Sequence, residues 1–161
     1  MSWYQNSGAD SDTAISRRAR LARNFAKYPF PGRMNAENEK KVLEAAEAAI
    51  PDYTALPLRK TEPIRRGALM EQHLISPEFA AADNLRGVLL SKDKSVSIMI
   101  NEEDHLRIQA LCAGFAPREA LNRAMEADAF LEKAGPYAFD SKLGYLTRCP
   151  TNLGTGLRAG V

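Results

Sequence analysis

The stretch GVLLSKDKSVSIMI, residues 87–100, constrains the fold more than any other part of the chain. Two apolar runs flank the polar turn Ser91–Lys94, a pattern that predicts a β-hairpin. The second run is apolar and β-branched, reads as a buried strand, and stops at Asn101. Helices to cover such a hairpin are legible on both sides of it. AENEKKVLEAAEAAI (36–50) is Ala-rich, with Val42, Leu43, Ala46 and Ile50 on one stripe. PREALNRAMEADAFLEKAG (117–135) has Pro117 near its start and Gly135 at its end. Strands and helices are mixed along the chain, so the expected class is α+β, an antiparallel sheet flanked by helices, rather than a doubly wound sheet.

The remaining segments are less regular. TAISRRARLARNF (13–25) reads as a strand or a helix, and periodicity leaves both open. YPFPGRMN (28–35) is a loop punctuated by Pro29 and Pro31. ALMEQHLISPEFA (68–80) holds a helical segment interrupted near Pro77. KLGYLTRCPTNLGTGLRAGV (142–161) reads as a strand, a glycine-rich turn and a final strand, and residues 1–12 read as irregular. A helix is predicted from just after Asn101 to about Cys112, with Gly114 ending it. In that reading Asn101 is the N-cap, Asp104 the return partner of a capping box, and Glu102 and Glu103 complement the helix dipole.

The 161 residues fit one domain with a real core, and a formal net charge of +2 gives no argument for nucleic acid or an anionic membrane. No run approaches the ~18 apolar residues of a membrane span, and MSWYQNSGADSD lacks the pattern of a signal peptide. Cys112 and Cys149 make no disulfide framework, so a reduced cytoplasmic setting is expected. With His73 and His105 they lack zinc-ligand spacing, so no metal site is built from them.

Three constellations carry chemistry. NEEDHLR (101–107) places three adjacent acids, a histidine and an arginine where a strand ends. A helix cap accounts for part of it. The other reading puts one carboxylate at a pocket edge to orient or deprotonate a nucleophile, with Arg107 holding a phosphate. SRRARLAR (16–23), read as a strand, points Ser16, Arg18 and Arg20 one way and Arg17, Ala19 and Leu21 the other. Neighbouring guanidinium groups repel unless an anion lies between them, and phosphate suits their fork; a solvated basic edge is the alternative. In CPTNLGTGLRAG (149–160), Gly154 to Ala159 spells G-x-G-x-x-A, but the dinucleotide fingerprint must open a helix, and a glycine turn between strands is the plainer reading.

Taken together, in this order along the chain, SRRARLAR, NEEDHLR and CPTNLGTGLRA resemble three hallmark stretches of the guanidino (phosphagen) kinase family. DSDTAISRRARLARNFAKYPFP, EQHLISPE and LLSKDKSVSIMINEEDH are most similar to the family's bacterial protein-arginine-kinase branch. The resemblance implies ATP with Mg²⁺ as phosphoryl donor and arginine residues of proteins as acceptors. It implies that Glu103 holds and deprotonates the acceptor guanidinium, with Glu102 and Cys149 beside that site. Ser16, Arg18, Arg20, Arg107 and Arg158 would bind the phosphates of ATP, and His73 would pack against the base. Arg17 departs from the Ser or Thr usual in the family.

By the same resemblance, residues 1–161 are expected to be the N-terminal part of a catalytic domain, without its C-terminal remainder and without the small helical domain that precedes it in phosphagen kinases. A stress-gene repressor as substrate, a zinc-finger activator and a cytoplasmic location are further implications; no nucleic acid or membrane partner is implied, and an oligomer is left open. Two other readings stand beside it: a phosphagen kinase acting on free arginine- or creatine-type compounds, and a non-catalytic module that binds nucleotide or phosphoarginine.

Overall fold

A computed structural model of the chain describes residues 8–160; the reading of 1–7 as irregular lies outside them. The elements run β1 (Ser16–Arg23), α1 (Ala36–Ala49), β2 (Thr54–Pro57), α2 (Pro63–Glu71), α3 (Pro77–Ala81), β3 (Gly87–Leu90), β4 (Val96–Ile100), β5 (Leu106–Ala113), α4 (Pro117–Glu132), β6 (Phe139–Asp140), β7 (Gly144–Tyr145) and β8 (Leu157–Gly160). A six-stranded sheet has the order β2-β3-β4-β5-β1-β8, and every neighbouring pair is antiparallel. The expected α+β class and the β3–β4 hairpin are both present. Among the described residues no helix is long and apolar enough to cross a membrane.

Alternation along the strands builds two different layers. Leu106, Ile108, Ala110 and Cys112 of β5 join Ala19 and Leu21 of β1, Val96, Ile98 and Ile100 of β4, and the apolar stripes of α1 and α4 in one core. The α1 stripe consists of Val42, Leu43 and Ala46, and its N-terminus is capped by Asn35, whose side chain accepts from the Asn38 amide. On the opposite face, Leu69 of α2 and Phe79 of α3 pack with Val88, Leu90, Met99 and Leu111. That second layer covers β3 and β4 but not β1, so β3 and β4 are buried on both faces while β1 keeps a partly open one.

The helix expected after Asn101 is instead a tight turn followed by strand β5. The Asn101 amide donates to the His105 carbonyl at 2.9 Å, closing a hairpin loop between β4 and β5. Asn101 has φ 61°, and its side-chain amide donates to the Glu39 and Leu85 carbonyls instead of capping a helix. Asp104 is no capping-box partner either: it accepts from the Asn24 side chain and the Arg148 amide. The cap motif was outcompeted by strand pairing, because L-R-I-Q-A-L-C-A alternates with period two and finds β1 on one side and β4 on the other. Arg107 accordingly sits on a strand. The G-x-G-x-x-A run opens no helix, since residues 157–160 form β8.

A buried ion pair ties β1 to α4. Arg23 donates to Asp128 at 2.9 and 3.1 Å, with 5% and 14% of the two side chains exposed. Replacing Asp128 with Ala should leave a buried uncompensated guanidinium and cost about 3–5 kcal/mol. Urea unfolding measures this, and an unchanged midpoint would show that the pair contributes nothing.

Candidate active site

The open half of the sheet carries the arginines. Arg18 and Arg20 share a face of β1; Arg20 lies directly opposite Arg158 on β8, and Arg18 opposite Gly160. On the other side Arg20 faces Gln109 and Ala22 faces Arg107, so Arg107 is the diagonal neighbour of Arg20. Four guanidinium groups from three strands therefore share one surface. Burial, and then the charges of Arg107, Arg18 and Arg158, push the Arg20 guanidinium down to about 10. Burial, Arg107 and Arg158 also lower Arg18. Among the described residues, neither Arg18, Arg20 nor Arg158 takes part in an ion pair, so the cluster is a site of concentrated positive potential.

The acids divide in two. Glu102 is buried and accepts from Arg107 Nη1 at 2.7 Å to each oxygen and from the Ser76 hydroxyl at 2.9 Å. Burial alone raises its pKa, but the Arg107 bonds and charge outweigh burial and hold the carboxyl below its ordinary value. Glu103 is half-buried; its amide donates to Glu102 at 3.2 Å, and among the described residues its own carboxylate has no partner. Asp104 and His105 face inward. The His105 ring accepts from the Phe25 amide at Nδ1 (3.0 Å), so its Nε2 carries the hydrogen and donates to the Pro29 carbonyl at 2.8 Å. Burial lowers its pKa and keeps it neutral.

The other residues singled out in the sequence lie around this centre. His73 is exposed, with φ 58°, and its carbonyl accepts from Gln109 Nε2 at 2.6 Å, which sets the main chain over β5 beside the arginines. Cys149 is partly exposed at the head of a short 3₁₀ turn, Pro150–Asn152, with its sulfur 3.0 Å from the Thr151 hydroxyl. The Arg148–Asp104 bond carries this turn to the acidic loop. Ser16 is set apart. It pairs with Ala113, six residues along β1 from the Arg107 register, or roughly 20 Å at strand rise. Arg17 points to the opposite face, with its guanidinium 4.1 Å above the Phe115 ring, and takes no part in the cluster.

Sequence reasoning missed Ser76, Gln109 and Asn24. Ser76 both caps α3, through the Phe79 amide, and donates to Glu102. Gln109 was visible through the alternation of β5, but the partners of Ser76 and Asn24 lie 26 and 80 residues away and leave no local trace.

Two outcomes follow. Arg158→Gln removes a like charge directly opposite Arg20 and should stabilise the free protein by about 0.2–1 kcal/mol; lower stability would refute the repulsion. Glu102 has a folded pKa below its ordinary 4.5, so its contribution is present above 4.5 and is lost as pH falls through the lower folded value. The parent should therefore lose more stability than Glu102→Gln on acidification below pH 4.5, as urea midpoints will show.

Known proteins carry the same architecture. Residues 35–161 match the family model described as ATP:guanido phosphotransferase, C-terminal catalytic domain. The chain is 44% identical over 168 residues to a protein-arginine kinase of Symbiobacterium thermophilum, covering 99% of this chain and 48% of that protein. It is 45% identical to the Moorella thermoacetica protein-arginine kinase, covering 98% and 47%. The chain thus spans about half the length of the curated relatives it matches. Among solved structures, the duplicated taurocyamine kinase from Schistosoma mansoni with bound transition-state-analogue components superposes with a TM-score of 0.85 at 26% identity, over 99% of this chain and 25% of that one. A lombricine kinase superposes with a TM-score of 0.81 at 27% identity, over 93% and 47%. With the arginine-lined face and the acidic hairpin loop in the same fold, the chain belongs to the ATP:guanido phosphotransferase family.

Proposed function

We propose that this chain serves ATP-dependent phosphoryl transfer to the guanidinium group of arginine residues in proteins. The observation that carries the reading is the cluster of Arg18, Arg20, Arg107 and Arg158 on an open sheet face, beside a hairpin loop that leaves Glu103 without a partner among the described residues. The relatives at 44–45% identity are named protein-arginine kinases, which favours a protein acceptor over a free guanidino compound.

The chemistry asks for these groups. A free guanidinium has a pKa near ~13.8 and is a poor nucleophile, so a carboxylate must orient it and take a proton. Glu103 is assigned that role, since Glu102 is already bonded to Arg107 and Ser76. The phosphoryl group in transfer spreads charge over its oxygens, and fixed cations stabilise it. Arg18, Arg20 and Arg158 are assigned to the phosphates of ATP, with Arg107 held by Glu102 at the edge nearest the acceptor. Arg18 and Arg20 are lowered by burial and then by like-charge repulsion, and binding of a polyanion would relieve the repulsion. Mg²⁺ enters with ATP as part of the substrate. His73 is assigned to the base and Cys149 to the neighbourhood of the acceptor, with Ser16 at the far end of the strand. A stress-gene repressor as target, a zinc-finger activator and a cytoplasmic setting extend the same reading.

The test pairs binding with turnover. In calorimetry, Mg-ATP should bind the parent chain and lose affinity in Arg18→Ala/Arg20→Ala, which separates a phosphate cradle from a solvated basic edge. Glu103→Gln should retain that affinity and lower transfer to a protein substrate by roughly 100-fold or more. Equal transfer by Glu103→Gln and the parent would remove Glu103 from its role. Transfer to free arginine in preference to protein would move the acceptor assignment to a small guanidino compound.

A further inference from the structure

Away from the arginine face, the loop Pro29–Arg33 and the segment Thr147–Arg148 enclose an open cleft of about 690 Å³. That volume lies within the roughly 300–1,000 Å³ of ordinary ligand sites. Both walls are bonded to consecutive residues of the acidic hairpin loop. The Pro29 carbonyl accepts from His105 Nε2 at 2.8 Å, and the Arg148 amide donates to Asp104 at 2.8 Å. The residue before these two is Glu103, so the cleft adjoins the loop carrying the proposed acceptor-binding carboxylate.

The charge in the cleft is of one sign. Arg33 and Arg148 line it, and no acid does. Among the described residues neither guanidinium takes part in an ion pair, and both residues are exposed. The Arg148 guanidinium lies across the loop from its own segment, where a Cβ on Gly32 would come within 3.5 Å of it. Gly32 has φ 89°, a conformation that favours glycine, and the guanidinium packs at ordinary contact distance over it. These two arginines are not among those that face the triphosphate in the proposed arrangement.

We infer that this cleft holds an acidic side chain of the protein substrate, flanking the target arginine. The inference rests on the proposed arginine-kinase reading and names the sequence context that such a kinase selects. Asp104 and His105 are bonded to the cleft walls directly after Glu103, so the chain neighbours of a target arginine held at Glu103 come within reach of Arg33 and Arg148. A carboxylate there meets two unpaired guanidinium forks, whereas a lysine or arginine meets two like charges.

The experiment measures binding, by fluorescence anisotropy, of short labelled peptides with one central arginine flanked by aspartate, alanine or lysine. The parent chain should bind the aspartate peptide roughly three- to tenfold more tightly than the alanine peptide, with the margin shrinking as salt is added. Arg33→Ala/Arg148→Ala should abolish that preference, and Arg33→Glu/Arg148→Glu should turn it toward lysine. Both sites are exposed, so circular dichroism should show the variants folded. Equal binding of the aspartate and alanine peptides by the parent overturns the inference, as does a preference that persists in the alanine double variant. An aspartate peptide whose arginine is replaced by alanine must bind more weakly; equal binding would make the cleft a general anion site and overturn its part in substrate selection. Glu103→Gln judges the underlying reading separately. If it leaves arginine peptides bound as before while the aspartate preference still follows Arg33 and Arg148, the assignment of Glu103 fails and the cleft stands.

Discussion

The site depends on one neutral imidazole in the core. His105 is fully buried between Phe25, Tyr28 and Phe30, accepts from one backbone amide and donates to one backbone carbonyl. Protonation would turn the accepting nitrogen into a donor facing the Phe25 amide, so both burial and geometry select the neutral form. Beside it Asp104 accepts from Asn24 and from Arg148, while the Asn24 carbonyl oxygen of the side chain accepts from the His105 amide. Three loops, those after β1, after β4 and before the Cys149 turn, are thereby fixed to one another by groups that have no water to turn to. Since burial holds the folded pKa of His105 below its ordinary 6.5, the unfolded chain takes up this proton first, and stability begins to fall below pH 6.5, before the Glu102 contribution begins to fail below 4.5.

A sheet whose central strands are covered on one face, and only in part on the other, resolves two demands. β3 and β4 are sandwiched between the two apolar layers and supply rigid support. β1 and part of β5 lie beyond the cover of α2 and α3, and there the alternation places Arg18, Arg20 and Arg107 on the uncovered face. Holding like charges together is unfavourable in the free protein. It is offset by the core beneath, and in the proposed function it becomes an asset, because no donor needs to be reorganised to meet a polyanion. His73 and Gln109 mark the boundary between the covered and open halves, with the loop after α2 pinned to β5 by a 2.6 Å bond.

Much of this was legible in residues read locally. The β3–β4 hairpin, α1 and α4 follow from short-range period and turn chemistry and are present at close to their expected bounds, whereas periodicity left 13–25 open between strand and helix and pairing with β5 and β8 made it a strand. The failure at Asn101–Cys112 has a physical cause. N-E-E-D is as good a helix start as it is a hairpin loop, and the choice is made by pairing with β1, about 90 residues away, which no local window contains. The period-two pattern of Leu106, Ile108, Ala110 and Cys112 was the available counter-signal. The bonds of Ser76 to Glu102 and of Asn24 to Asp104 are long-range and carried no pattern at all.

The two adjacent glutamates are held differently. Glu102 is buried, charged and committed to Arg107 and Ser76, so its negative charge offsets part of the positive charge of Arg107. In the proposed arrangement Arg107 would be a weaker anchor for a phosphate than Arg18, Arg20 or Arg158, and its pair with Glu102 links the arginine face to the acidic loop. Ser76 extends that link to the segment that carries His73, so the proposed nucleotide and acceptor sites share a continuous run of bonded side chains. Glu103, next in sequence but more exposed and unpartnered among the described residues, retains the freedom to accept a hydrogen bond from an incoming guanidinium. One carboxylate is committed to its bonds, which leaves its neighbour available for the role proposed for it.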